Sequence, residues 1–128
     1  MGTNYYLIRN RCRHCGRSDE PLHIGKSSCG WVFALRTHAD LGIKDLLDWE
    51  PLFCKHEIQD EYGNAVPVSE MLTVITQRRG QENKDFDPKW LSANDAVPGP
   101  HGLARCKIGH HCEAHGDGTW DLHEGEFS

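Results

Sequence analysis

Two short cysteine–histidine clusters near opposite ends of the chain constrain its folding more than any other feature. The first is Cys12-Arg13-His14-Cys15-Gly16, and the second is His110-His111-Cys112-Glu113-Ala114-His115-Gly116. In the first, a two-residue spacer lets both thiolates face one ion, and the glycine permits a tight backbone beyond the second sulfur. The second repeats that spacing with histidine in the last place, again followed by glycine. Structural zinc takes four such ligands. The expected set around one Zn2+ is therefore Cys12, Cys15, Cys112 and His115, with His111 and then His23 as substitutes. Such a site closes a loop of about 100 residues, where a cross-link removes much unfolded-chain entropy.

The chain needs a staple of this kind. Its 128 residues suit one domain, yet only 11 Leu, 6 Ile, 5 Val and 4 Phe supply the strongly apolar positions. That is close to the fraction below which chains stay disordered. Six cysteines would also make three disulfides, but disulfides need an oxidising compartment. Arg9, Arg11 and Arg13 interrupt any apolar stretch near the start, so no signal peptide is expected. Tyr6 stands where myristoylation wants Ser or Thr. No apolar run approaches the roughly 20 residues that span a bilayer. The expectation is a cytoplasmic protein with reduced thiols and no membrane partner, folded as a single zinc-stabilised domain over 1–128.

Periodicity predicts strands at Asn4–Asn10, Leu22–Lys26, Trp31–Leu35, Leu103–Ile108 and Thr119–Phe127, with a hairpin around Gly63-Asn64. Ile43–Trp49 is a helix stopped by Pro51, because the residue before proline avoids helical dihedrals. Ser69 caps a second helix, Glu70–Arg79, and Asp87 with Pro88 opens a third, Pro88–Asn94. Val97–Pro100 ends it as loop. The fold class is α+β: a small zinc-ribbon-like antiparallel sheet with two or three short helices and long loops. In this setting Cys29, Cys54 and Cys106 are small buried hydrophobes, and a second site from Cys54, His56, His101 or Cys106 is the alternative.

Charge is segregated. Residues 1–38 carry 6 basic and 2 acidic side chains, and residues 39–73 carry 2 and 8. Either these complement one another internally, with Arg9 and Arg11 near Asp121, Glu124 or Glu126 if the terminal strands pair, or a basic strip is exposed. In the second case Arg9, Arg11, Arg13, Lys26, Ser27 and Ser28 are the anion or nucleic-acid contacts. A net charge of −5 weighs against nucleic acid. Gly25-Lys26-Ser27 is not a P-loop, since Glu20 occupies the position that requires glycine. A zinc hydrolase or nuclease would draw on His110, His111, His115, Glu113 and Asp117. It would need an open coordination position, and thiolate ligands weaken the Lewis acid. No catalytic residues are assigned.

Met1-Gly-Thr-Asn-Tyr-Tyr-Leu7, the Cys12-x-x-Cys-Gly-Arg17 knuckle and Leu22-His-Ile-Gly-Lys-Ser-Ser28 form one series of motifs. Asp60-Glu-Tyr-Gly63 and the tail from His111-Cys112 through His115-Gly-Asp-Gly-Thr-Trp-Asp-Leu122 to Gly125-Glu-Phe-Ser128 extend it. Together they resemble a group of short bacteriophage proteins, in blocks covering most of the chain outside 80–100. The resemblance implies a small accessory protein made inside an infected bacterium. Such a protein binds a host protein to redirect or disable it, or counters a defence system. It also implies that the two knuckles belong together and that His23 is part of a motif, while Cys29, Cys54 and Cys106 fall outside the shared blocks. With this resemblance, docking on a host protein is the leading expectation. The acidic stretch 39–73 and the segment 80–100 would make contact, and a nucleic-acid-binding regulator or a zinc hydrolase are the alternatives.

Overall fold

Alternation of period two, which turns successive side chains to opposite sheet faces, builds the framework from pieces far apart in sequence. The protein is seen here in a computed structural model that describes residues 2–9, 14–15, 17, 20–28, 30–77, 87–109 and 112–125. The strands are β1 (Gly2–Ile8), β2 (Leu22–Ser28), β3 (Phe33–Thr37), β4 (Glu57–Asp60), β5 (Ala96–Pro98), β6 (Ala104–Cys106), β7 (Cys112–His115) and β8 (Trp120–Glu124). Among the described residues three α-helices intervene: α1 (Leu46–Lys55), α2 (Val68–Thr76) and α3 (Pro88–Ala93). Six strands form one sheet in the order β4-β1-β2-β3-β8-β7, and β5 and β6 form a separate ribbon. The fold is a small α+β arrangement with a mixed sheet.

One face of that sheet makes the core. Leu7, Ile24, Phe33, Leu35 and Leu122 from the strands meet Leu46, Trp49 and Phe53 of α1 and Met71 and Ile75 of α2. Trp49 and Phe53 stack at a centroid separation of 5.7 Å, and the Trp49 Nε1–H donates to the Arg36 carbonyl at 2.9 Å. Two polar contacts fix β8 against the helices. The Thr119 hydroxyl donates to the Ile75 carbonyl at 2.7 Å, and Trp120 Nε1–H donates to Asp45 Oδ1 at 3.0 Å. Because Leu122 and Trp120 turn toward the core, Asp121 and His123 turn to the opposite face.

The sheet departs from the expected all-antiparallel ribbon at its centre, where β3 and β8 run parallel, Phe33 beside Trp120 and Leu35 beside Leu122. Both strands place large side chains in the core at these positions, so burial selects the pairing. The terminal strands do not pair: β1 lies between β2 and β4, and β8 between β3 and β7. Arg9 is consequently not the partner of Asp121, and Arg11 and Glu126 lie outside the described residues.

Local expectations fail at three places. The first helix starts later and passes through Pro51. Asp45 and Asp48 form a reciprocal capping box that sets its start, and Ile43 is instead bonded back to His38. Pro51 therefore costs one internal bond, while burial of Trp49 and Phe53 carries the helix onward. The second helix begins before Ser69, with Pro67 at its N-cap and no side-chain cap. Val97 and Pro98, expected in a loop, pair with Arg105 and Ala104. The third helix opens as its sequence specifies, with Asp87 accepting from the Lys89 N–H at 3.0 Å.

Candidate metal centre

The site grows from β8. Asp121 and His123 emerge from the non-core face of this strand, and both are buried, Asp121 to 1% exposure. Strand β7 lies antiparallel to it, with Cys112 opposite His123 and His115 opposite Asp121. In a regular strand, residues three apart face opposite sides. Here the register shifts between Cys112 and Ala114, so Glu113 is an extra residue, and the bulge brings Cys112 and His115 onto one side. The β5–β6 ribbon completes the group. It is bonded to the segment preceding β3 by Val32 N–H to the Ala104 carbonyl (2.9 Å) and Ala104 N–H to the Gly30 carbonyl (2.8 Å). This placement presents Cys106.

Asp121 is the hub. Its Oδ1 accepts from Arg105 Nε at 2.8 Å and its Oδ2 from the Cys106 backbone N–H at 3.0 Å. Arg105 Nη2 also donates to the carbonyls of Gly118 (3.1 Å) and Trp120 (2.9 Å). His115 Nε2 lies 2.7 Å from the Cys106 carbonyl, which can only accept, so that nitrogen carries the proton and Nδ1 keeps the lone pair. Metal-ligating histidines commonly anchor one ring nitrogen to a carbonyl in this way. Burial, then the Asp121 charge, then Cys106 push the Cys112 thiol up to about 12; burial, Asp121 and Asp95 push the Cys106 thiol up as well. Without a cation both thiols are neutral, and a bound cation would replace their protons.

Among the described residues, two triads are close enough to hold an ion: Cys106, Asp121 and His123, and Cys112, His115 and Asp121. Within each, the ligand atoms lie within 4.8 Å of one another. Tetrahedral zinc with sulfur and nitrogen ligands wants donor separations of about 3.3–3.8 Å, so closure of about an ångström suffices. Cys106, Cys112 and His123 also border one cavity of about 300 Å³, and Cys106, Asp121 and His123 border a neighbouring one of about 190 Å³.

Of the residues singled out in the sequence, Cys112 and His115 come together here. Cys12, His111, Arg11 and Arg13 lie outside the described residues. Cys15 is exposed and joins neither triad. His23 is buried away from both, its Nε2 2.9 Å from Asn4 Oδ1 and its ring 5.3 Å from that of Tyr6. Burial, Arg36 and His38 lower its pKa to about 4. Lys26 and Ser28 border the smaller cavity, while Ser27 pairs with Thr3 in β1. Arg9 is half-buried, and its Nε has no hydrogen-bond partner among the described residues.

The chain matches no protein-family model, no curated protein and no solved structure.

What the site can do follows from its donors alone. Asp121 and His123 were not among the expected ligands, and Cys106 was expected only as part of an alternative second site. Cys106 resembles an ordinary small strand residue, and Asp121 and His123 sit in a Trp-Asp-Leu-His alternation that suggests an exposed face. The one available signal was that eight Cys, His and Asp residues crowd into 106–123. The set offers two soft sulfurs, two imidazoles and a carboxylate, a combination that suits a borderline-soft divalent ion.

Proposed function

We propose that this protein is a small zinc-stabilised binding protein of phage type, which acts by docking on a host protein in the bacterial cytoplasm. The observation that carries the reading is the convergence of Cys106, Cys112, His115, Asp121 and His123 from β6, β7 and β8 on one largely buried patch. Sulfur-rich coordination is the chemistry of closed structural sites; thiolates donate charge and blunt the Lewis acidity that hydrolysis requires. Asp121, already engaged by Arg105 and the Cys106 N–H, is not poised as a general base. A metal-held scaffold presenting a surface is therefore favoured over a zinc hydrolase.

The docking surface in this reading is the acidic stretch 39–73. It carries three of the exposed large apolar residues, Leu41, Leu47 (78% exposed) and Tyr62 (73% exposed). Exposed apolar residues in a stretch rich in carboxylates favour a partner that offers both apolar and basic groups. The test has two arms. Elemental analysis of protein purified without added metal is expected to find close to one zinc per chain, and chelation is expected to abolish cooperative melting. A zinc-loaded bait is expected to capture one bacterial protein that both the chelated bait and a Leu47→Asp/Tyr62→Asp bait fail to capture. Metal-free protein that melts unchanged refutes the zinc reading. Capture that is indifferent to the surface substitutions refutes the assigned surface.

A further inference from the structure

Resting on the zinc reading above, we infer that the ion is held by Cys106, Cys112, His115 and His123, a ligand set complete within β6, β7 and β8, with Asp121 as a positioning residue. Cys15, exposed and in neither triad, does not belong to it.

The argument begins with what Asp121 is already doing. One of its oxygens accepts from the Arg105 guanidinium and the other from the Cys106 N–H. To ligate a cation it would have to abandon an ion pair whose side chains are only 13% and 1% exposed, leaving a guanidinium in a poorly solvated place. That is among the costlier changes a fold can make. Setting Asp121 aside leaves two pairs, Cys106 with His123 and Cys112 with His115, each beside the same carboxylate, and one ion shared by all four requires the pairs to close on each other.

Independent observations join these two pairs. Cys112 and His123 are cross-strand partners, an arrangement that sets Cβ atoms about 4.5–5.5 Å apart on one face. Cys106, Cys112 and His123 share the walls of one cavity. His115 is tied to the Cys106 backbone through Nε2, which leaves Nδ1 to bind. The bulge at Glu113 also acquires a purpose, since without it Cys112 and His115 could not face one ion. Charge balances as well. On binding, the two thiols release two protons to solvent and the two thiolates cancel the charge of Zn2+. The neutral centre then sits beside the neutral Arg105–Asp121 pair. Asp121 orients the donors by holding the Cys106 backbone and, through Arg105, the Gly118 and Trp120 carbonyls next to it.

Two measurements on the full chain test the assignment. In the wild-type protein, alkylation of each cysteine is followed by mass spectrometry with and without zinc, under reducing conditions. Zinc is expected to slow labelling of Cys106 and Cys112 by about tenfold or more, as thiolates become metal-bound, while labelling of Cys12 and Cys15 is unchanged. Zinc protection of Cys12 or Cys15, or none at Cys106, overturns the assignment. The second measurement titrates metal-stripped protein with cobalt(II). Cys106→Ser and Cys112→Ser are each expected to halve the sulfur-to-cobalt charge-transfer intensity, and Cys15→Ser to leave it unaltered. Asp121→Asn is expected to keep the sulfur band and the tetrahedral visible spectrum but to weaken cobalt binding by about 10–100-fold, as lost support of ligands does. A changed spectrum with Asp121→Asn makes the carboxylate a ligand and overturns the proposal. Failure to bind either metal sinks the zinc reading itself, whereas binding through other cysteines sinks only this ligand set.

Discussion

Breaking the Arg105–Asp121 pair from either side should destabilise the protein unequally, and the structure gives the order. Removing one partner of a buried ion pair costs about 3–5 kcal/mol, chiefly because the other charge is left in place. The two partners are not equally supported. If Asp121 becomes Asn, Arg105 still donates to the Gly118 and Trp120 carbonyls, so the cost belongs near the lower end, about 3 kcal/mol. If Arg105 becomes Met, the 1%-exposed carboxylate keeps only the Cys106 N–H at hydrogen-bonding distance and a histidine 3.9 Å away. Two orphaned carbonyls add to that, placing the cost near about 5 kcal/mol. With a urea slope of about 1–3 kcal/mol per molar, the midpoints should fall by roughly 1.5 M and 2.5 M. Urea unfolding at fixed metal content reads this directly, and the shifts should persist in half-molar salt, since buried pairs are weakly screened. The double variant Arg105→Met/Asp121→Leu should be more stable than Arg105→Met alone, because no charge is then stranded. Midpoint shifts below about 0.5 M for both single variants, or a larger loss from Asp121→Asn, would show that the pair does not tie the ribbon to the sheet.

Three further outcomes are expected. His23, with its pKa lowered from 6.5 to about 4 by burial, Arg36, His38 and Lys26, stays neutral in the folded protein after the unfolded chain has taken up a proton. Its contribution is therefore intact above pH 6.5 and is lost as pH falls toward 4, a loss of up to about 3 kcal/mol. His23→Gln should flatten that part of the stability–pH curve, and an unchanged slope would contradict the assignment. A Cβ at Gly25 would lie 2.1 Å from the Ala34 carbonyl oxygen and 2.5 Å from the Phe33 ring. Gly25→Ala should thus cost about 1–3 kcal/mol or more by overpacking, and a melting temperature equal to wild type would show that β2 and β3 can separate. Trp49→Ala empties the centre of the core and removes the bond to the Arg36 carbonyl, for a loss of about 3–5 kcal/mol by denaturant titration.

Much of the local structure was legible because its causes are local. The alternation from Thr119 onward specified the strand seen at Trp120–Glu124, Asp87-Pro88 specified a capped helix start, and Gly63-Asn64 fell in the turn after β4, where Asp60 N–H bonds the Asn64 carbonyl. Errors came where a tertiary contact outweighed a local rule. Pro51 failed to stop α1 because buried Trp49 and Phe53 lie on either side of it. The parallel pairing of β3 with β8 could not be read from either strand, since it depends on which apolar edges the two helices leave uncovered.

For the candidate metal centre the division is sharper. The sequence by itself determined that thiols and imidazoles would be concentrated in this chain, and it paired Cys112 with His115, which the fold places close enough to share an ion, because spacing and residue chemistry are local properties. Only the tertiary structure decided that Cys106, Asp121 and His123 join them. Cross-strand register, one bulged residue and the docking of a short ribbon are set by burial of the whole core, and they bring side chains together from positions whose separation in sequence carries no distance information.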